Sequence, residues 1–227
     1  MNIAIIPARG GSKRILKKNI KDFLGKPIIY YSIKIALESG LFDKVIVSTD
    51  DHEIKKVAEN FGAYVPFVRP DELSDDITGT VAVINHAVQW CARNKYKPEY
   101  VCCIYATSPL LQLDYLKMGY EALKSSDKLF AFSVTRFKYP IQRSLRIKND
   151  SIEMFYPENY LTRSQDLEEG YHDAGQFYWG TADAFLEQKN IFSDRSVPII
   201  LPQYLVQDID TQDDWDMAEF MYSALYK

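Results

Sequence analysis

The chain has 227 residues, 47% hydrophobic and 26% charged, with 31 Asp and Glu against 27 Lys and Arg for a net charge of −4. That length fits one α/β domain, or one domain with a modest insertion, and the composition excludes a disordered chain. The acidic balance excludes a broad basic face, so nucleic acid is not an expected partner. No apolar run approaches ~18 residues, so no membrane span is expected either.

The elements follow in chain order. Residues 2–7 open with a short continuous apolar run, as in a strand buried on both faces, and Pro7 ends it. A helix is predicted over 28–38, with Pro27 at its start and Gly40 after its end. Residues 45–47 read as a strand. Asp50-Asp51-His52-Glu53 resembles a capping box opening a helix over 51–61, with Asp50 read only as part of that cap. A strand is predicted at 64–68. Strand, helix, strand, helix, strand is the pattern of a parallel sheet covered on both faces. A helix over 80–93, a strand at 100–105, a helix over 113–125 and a strand at 129–134 continue it.

Residues 136–175 then break the rhythm with Pro140, Pro157, the turn Lys148-Asn149-Asp150 and many aromatics, and read as an inserted β-hairpin with loops. A strand at 176–179, a helix over 181–189, strands at 197–201 and 205–209 and a helix over 211–226 complete the chain. Cys91, Cys102 and Cys103 read as buried thiols, with no disulfide framework or metal spacing. Their presence and the lack of a signal-like start lead to an expected cytoplasmic location. His52 and His86 show no metal-ligand spacing.

The segment 8–19 carries the strongest functional signal. It follows the first strand, at the edge where open α/β sheets bind ligands. Gly10 and Gly11 allow backbone N–H groups to approach an anion. Arg9, Lys13, Arg14, Lys17 and Lys18 place five cations in ten positions, enough to match a triphosphate. The spacing is neither GxGxxG nor GxxxxGK[ST], so a dinucleotide dehydrogenase and a P-loop kinase are not supported.

Ile6-Pro7-Ala8-Arg9-Gly10-Gly11-Ser12-Lys13-Arg14, followed by Lys18-Asn19, resembles the opening motif of the CMP-sugar synthetases, the acylneuraminate cytidylyltransferase family. Further matches run along almost the whole chain: Val47-Ser48-Thr49-Asp50, Arg69-Pro70-Asp71-Glu72-Leu73 with Asp76 and Thr80, Thr107-Ser108-Pro109-Leu110, Arg163-Ser164-Gln165, and Asp208-Ile209-Asp210 before Asp214-Trp215. The resemblance implies a Rossmann-like nucleotide-diphospho-sugar transferase fold. Residues 1–227 would form one cytidylyltransferase domain, with a mainly parallel sheet and an inserted hairpin region at about 136–175 that makes a homodimer. It implies nucleotide contacts from Ala8, Arg9, Gly10, Gly11, Ser12, Lys13, Lys18, Asn19, Arg69 and Thr80, although Thr80 alone also reads as a helix cap. Arg9, Lys18, Asp208 and Asp210 are the expected catalytic set.

Asp208 and Asp210 alternate onto one face of extended chain and can hold Mg²⁺ while phosphates and water complete its shell. Capping of the last helix is the competing role for Asp210. Arg163 and Gln165 also share a face if extended, which suits a sugar carboxylate and hydroxyls or an ordinary surface pair. The resemblance places that motif at an acidic sugar, together with Tyr105, Thr107, Ser108 and Gln142. Relatives that use sialic acid commonly have Gln where Tyr105 stands. The run from Tyr171 to Trp179 looks most like the pseudaminic acid cytidylyltransferases, which adds His172 and Asp173 as sugar contacts. The implied reaction is Mg²⁺-dependent transfer of CMP from CTP to an acidic sugar, the nine-carbon pseudaminic acid first, with legionaminic, N-acetylneuraminic or keto-deoxy-octulosonic acid as alternatives. Outside this chemistry, a glycosyltransferase on a similar fold is disfavoured because the Asp208–Asp210 pair lies too late in the chain. A non-catalytic sugar- or nucleotide-binding module remains the other class.

Overall fold

The computed structural model describes residues 1–226. In chain order it contains β1 (Asn2–Pro7), a small hairpin of β2 (Asp22–Phe23) and β3 (Lys26–Pro27), α1 (Ile29–Glu38), β4 (Lys44–Ser48), α2 (His52–Asn60), α3 (Thr80–Arg93), β5 (Tyr100–Ile104) and α4 (Leu113–Lys124). There follow β6 (Phe130–Arg136), the hairpin β7 (Leu145–Lys148) and β8 (Ser151–Met154), β9 (Tyr171–Thr181), α5 (Ala182–Leu186), β10 (Ser196–Leu201) and α6 (Gln212–Tyr226).

Six strands form the main sheet in the order β10-β6-β9-β5-β1-β4. β4, β1 and β5 run parallel, as do β6 and β10, while β9 runs antiparallel between β5 and β6. Alternation along the strands supplies two cores. Ala4, Ile6, Cys102 and Ile104 face α1, α2 and α4, whereas Ile3, Ile5, Val101 and Cys103 face α3 and α5. This is an α/β architecture as expected, a mixed sheet with mostly parallel strands and helices on both faces. A third apolar cluster of Phe23, Ile28, Trp215 and Ala218, closed by Ile15 and Ile209, packs α6 beneath the loop that follows β1. It therefore couples the position of Asp208–Asp210 to that of the basic segment. All three cysteines are free and buried. No helix among the described residues is long and apolar enough to cross a membrane.

Four local expectations change. The 64–68 segment makes a single parallel bridge, Tyr64 with Ile46, because Pro66 has no N–H to extend the ladder. The 205–209 segment joins no sheet: a short 3-10 turn, Gln203–Leu205, starts it, and the Leu205 carbonyl accepts from the Gln176 side chain. The helix expected over 181–189 stops at Leu186, and Gln188 turns left-handed at φ 51°. β9 begins at Tyr171 rather than Gln176, so its first residues project beyond the parallel core. The Lys148-Asn149-Asp150 turn closes the β7–β8 hairpin with φ of 49° and 58° at its two central residues, the geometry that Asn and Asp tolerate in a type I′ turn.

Candidate active site

The loop after β1 is held from three sides. Ala8 donates its N–H to the Ser48 carbonyl at 2.9 Å, and the Gly10 N–H donates to Asp50 Oδ1 at 2.9 Å. A Cβ on Gly10 would lie 2.7 Å from Asp51 Oδ2, so only glycine lets the loop touch the start of α2. Asn19 is buried and donates from Nδ2 to the Arg9 carbonyl, while Ser12 Oγ donates to the Ile15 carbonyl. These polar side chains bind the loop to itself and thereby aim its cations.

The cations do not all point one way. Arg9, Lys13, Arg14 and Lys18 line a cleft of about 490 Å³ together with Arg69 and Thr80. Lys17, left-handed at φ 51°, instead turns to Glu53 in the first turn of α2 at 2.5 Å. Four cations of the loop thus serve the cleft, and the fifth fastens it to a helix. Each cleft cation is matched by a carboxylate from elsewhere. Asp76 joins Arg9 and Lys13 at 2.5 Å each, and these partners hold its carboxyl below the usual range. Asp210 accepts from Arg14 at 2.7 Å and lies 3.4 Å from Lys18, whose Nζ also donates to the Ile209 carbonyl at 2.6 Å.

Arg69 is 3% exposed, lines the cleft, and has Nε and one Nη without a hydrogen bond. Its nearest carboxylate, Asp50, is 3.5 Å away with poor alignment. Burial lowers its pKa while Asp50 raises it. A buried guanidinium so weakly partnered is costly, unless an anion completes it. Asp50 thus faces Arg69 and accepts from the Gly10 N–H of the loop. The cap of α2 is Asp51, which accepts from the N–H groups of Glu53 and Ile54.

The neighbours of Asp210 take the capping role that competed for it. Thr211 and Asp214 form the reciprocal cap of α6: Asp214 accepts from the Thr211 N–H, and Thr211 Oγ1 accepts from the Asp214 N–H. The Asp210 carboxylate is thereby left out of the cap. Loss of hydration, then the charge of Asp210, raises the pKa of Asp208 against the opposing Lys18. No group of three or more His, Cys, Asp or Glu among the described residues could hold a metal by itself.

A second pocket of about 480 Å³ adjoins the cleft, with Thr80 and Tyr105 lining both. Asp173, Tyr178 and the turn 188–192 complete it. Of the sequence-derived sugar candidates, Tyr105 and Thr107 line the cleft and Asp173 the second pocket. Ser108 is buried and donates to the Gly175 carbonyl. Gln142, Arg163 and Gln165 line neither space: Gln142 donates to the Glu168 carbonyl, and Arg163 forms an exposed pair with Asp166. His172 packs against Phe137. Tyr178, Asn190 and Phe192 carried no sequence signal of their own, because a buried strand and a short turn give no motif.

A model of the family described as Cytidylyltransferase matches residues 3–222. The chain is 50% identical over 224 residues, 98% of its length and 97% of the relative's, to a Campylobacter jejuni protein named pseudaminic acid cytidylyltransferase. It is 30% identical over 221 residues, 96% and 94% of the two lengths, to the CMP-N,N'-diacetyllegionaminic acid synthase of Legionella pneumophila. A solved CMP:2-keto-3-deoxy-manno-octonic acid synthetase complexed with CTP shares the fold at a TM-score of 0.71, covering 99% of each chain at 14% identity.

Asp76 occupies two cations that an anion would need. Asp76→Asn is expected to tighten pyrophosphate binding about threefold to tenfold in calorimetry, the scale of exposed ion pairs released. Weaker binding would instead make Asp76 a support that aims Arg9 and Lys13.

Proposed function

The chain belongs to the cytidylyltransferase family, and from that premise we propose that it transfers CMP from CTP to the anomeric hydroxyl of pseudaminic acid, releasing pyrophosphate. The observation that carries the triphosphate half is the buried, incompletely partnered Arg69 in a cleft whose mouth holds Arg9, Lys13, Arg14 and Lys18. The choice of sugar rests on the 50% identity to the Campylobacter protein of that name.

In this reading the triphosphate replaces Asp76 on Arg9 and Lys13. The anomeric hydroxyl gives up its proton to solvent as its oxygen forms a bond to the α-phosphorus, the bond from that phosphorus to the bridging oxygen breaks, and its electron pair leaves with pyrophosphate. Lys18 and Arg9 neutralise charge that builds on the phosphates, so the chain contributes chiefly alignment and electrostatic stabilisation. Asp208 and Asp210 fit Mg²⁺. They are two acidic oxygen donors whose mutual repulsion a dication would relieve, with too few protein ligands to close its shell without phosphates and water. Bound there, Mg²⁺ would supply Lewis-acid stabilisation of phosphate charge.

The same proposal gives the insertion a partner. Phe137, Tyr139, Phe155 and Tyr156 are exposed around one pocket, and Gln142, Arg163 and Gln165 lie on the same excursion away from the cleft. A second copy would cover these aromatics, and its insertion would bring such polar groups toward the first copy's sugar. Sedimentation velocity is expected to find a dimer that Tyr139→Glu with Phe155→Glu dissociates. A monomeric wild type would remove the interface.

A coupled pyrophosphate assay with CTP and a panel of nonulosonic acids tests the activity. Pseudaminic acid is expected to give the highest kcat/KM. Lys18→Ala should lower turnover on the order of 10²-fold, the scale of a lost charge-stabilising donor, and Asp208→Asn with Asp210→Asn should abolish Mg²⁺-dependent release. Near-normal turnover in either variant would return its residues to a structural role.

A further inference from the structure

Asp208 and Asp210 are carried by a stretch of chain with little structure of its own. After β10 ends at Leu201, residues 202–210 join no sheet, and the bonds of their 3-10 turn are local: the Leu205 N–H donates to the Pro202 carbonyl and the Val206 N–H to the Gln203 carbonyl. Contacts from elsewhere fix the stretch. At its exposed start, the Gln203 side chain donates to the Arg136 carbonyl. At its far end, Lys18 donates to the Ile209 carbonyl and Arg14 to Asp210. Those far-end bonds come from cleft cations, which an arriving triphosphate draws away. Between the two ends, Gln176 donates from Nε2 to the Leu205 carbonyl, three residues before Asp208. This bond is buried and uses no cleft cation, so a nucleotide leaves it in place.

Gln176 is 4% exposed in the middle of β9 and lines neither the cleft nor the second pocket. Its N–H donates to Ser133 Oγ at 3.3 Å, and its carbonyl accepts from the Tyr105 N–H at 2.9 Å. A carbonyl only accepts, so the amide nitrogen faces Leu205. Oε1 is then left buried with no partner. An apolar side chain of similar length would fill the same space without an orphaned acceptor, so packing alone does not account for a glutamine here. What the amide adds is a fixed separation between β9 and Leu205. Because its main chain also holds Tyr105, a wall of the cleft, Gln176 sets the carboxylate-bearing stretch against that wall.

We propose that Gln176 is a positioning residue for the metal site: by donating to the Leu205 carbonyl it holds Asp208 and Asp210 where a divalent cation and the nucleotide phosphates can share them. This rests on Asp208 and Asp210 being the metal's ligands. Groups that orient ligands from outside the coordination shell commonly contribute tenfold or more to metal affinity.

The test is calorimetry of CTP with the full chain, in EDTA and with Mn²⁺, a cation that also takes oxygen ligands. It compares Gln176→Met, which keeps the length of the side chain without its donor, with Ser133→Ala and with the paired Asp208→Asn, Asp210→Asn variant. Ser133→Ala removes the acceptor of the Gln176 and Phe177 N–H groups and leaves the Leu205 bond intact, so it loosens β9 without touching the proposed link. In EDTA, Gln176→Met should bind CTP within about twofold of the wild type, and with Mn²⁺ about tenfold more weakly. Ser133→Ala should lower Tm and follow the wild type in both conditions. The proposal is overturned if Gln176→Met follows the wild type with Mn²⁺, if it loses as much affinity in EDTA, or if Ser133→Ala reproduces its Mn²⁺-dependent loss. A paired Asp variant that binds like the wild type with Mn²⁺ ends the metal reading and this one with it. A loss in that variant alone ends only the role of Gln176.

Discussion

Positive charge in the segment after β1 is the constraint on which the rest of the site depends. Arg9, Lys13, Arg14, Lys17 and Lys18 lie within ten residues, and the segment holds no acidic residue of its own. Carboxylates from three distant places answer them: Glu53 of α2, Asp76 of the loop before α3 and Asp210 before α6. The loop, the 70s loop and the C-terminal helix are thereby drawn around one cleft. The cleft-facing pairs are largely exposed, and exposed ion pairs are weak. A triphosphate, which offers several charges at once, can exchange for them. Arg69 differs because it is buried and poorly partnered, so it favours an anion before one arrives.

The parts of this arrangement written in short-range chemistry were legible in the sequence. Pro7 ended β1, Gly10 allowed the loop to touch α2, the 50s acidic cluster capped α2, and Lys148-Asn149-Asp150 turned the hairpin. The family resemblance added the distant partners of the loop and is borne out. What was illegible depended on placement in space. Pattern could not tell that β9 runs antiparallel between β5 and β6, since any strand buried on both faces reads as continuously apolar. Nor could it separate Lys17 from its neighbours, because a left-handed φ at a lysine has no sequence mark. That Asp50 and Asp210 are not caps needed the atoms: Asp51 and Thr211 make the caps.

The antiparallel strand also explains why the cleft and the second pocket differ in legibility. The cleft lies at the ends of parallel strands, where one loop supplies most of its charge. The second pocket is assembled from the start of α3, the end of β5, the middle of β9 and the turn after α5. Its polar groups act on one another as much as on the space they enclose.

The central claim, that the segment after β1 is a triphosphate cradle, is tested most directly by calorimetry of CMP, CDP and CTP under one salt and Mg²⁺ condition. Each added phosphate should strengthen binding, with CTP tightest, and the gain from CMP to CTP should shrink as salt rises, as screening of these cations requires. Equal affinity for CMP and CTP at low salt would contradict the claim.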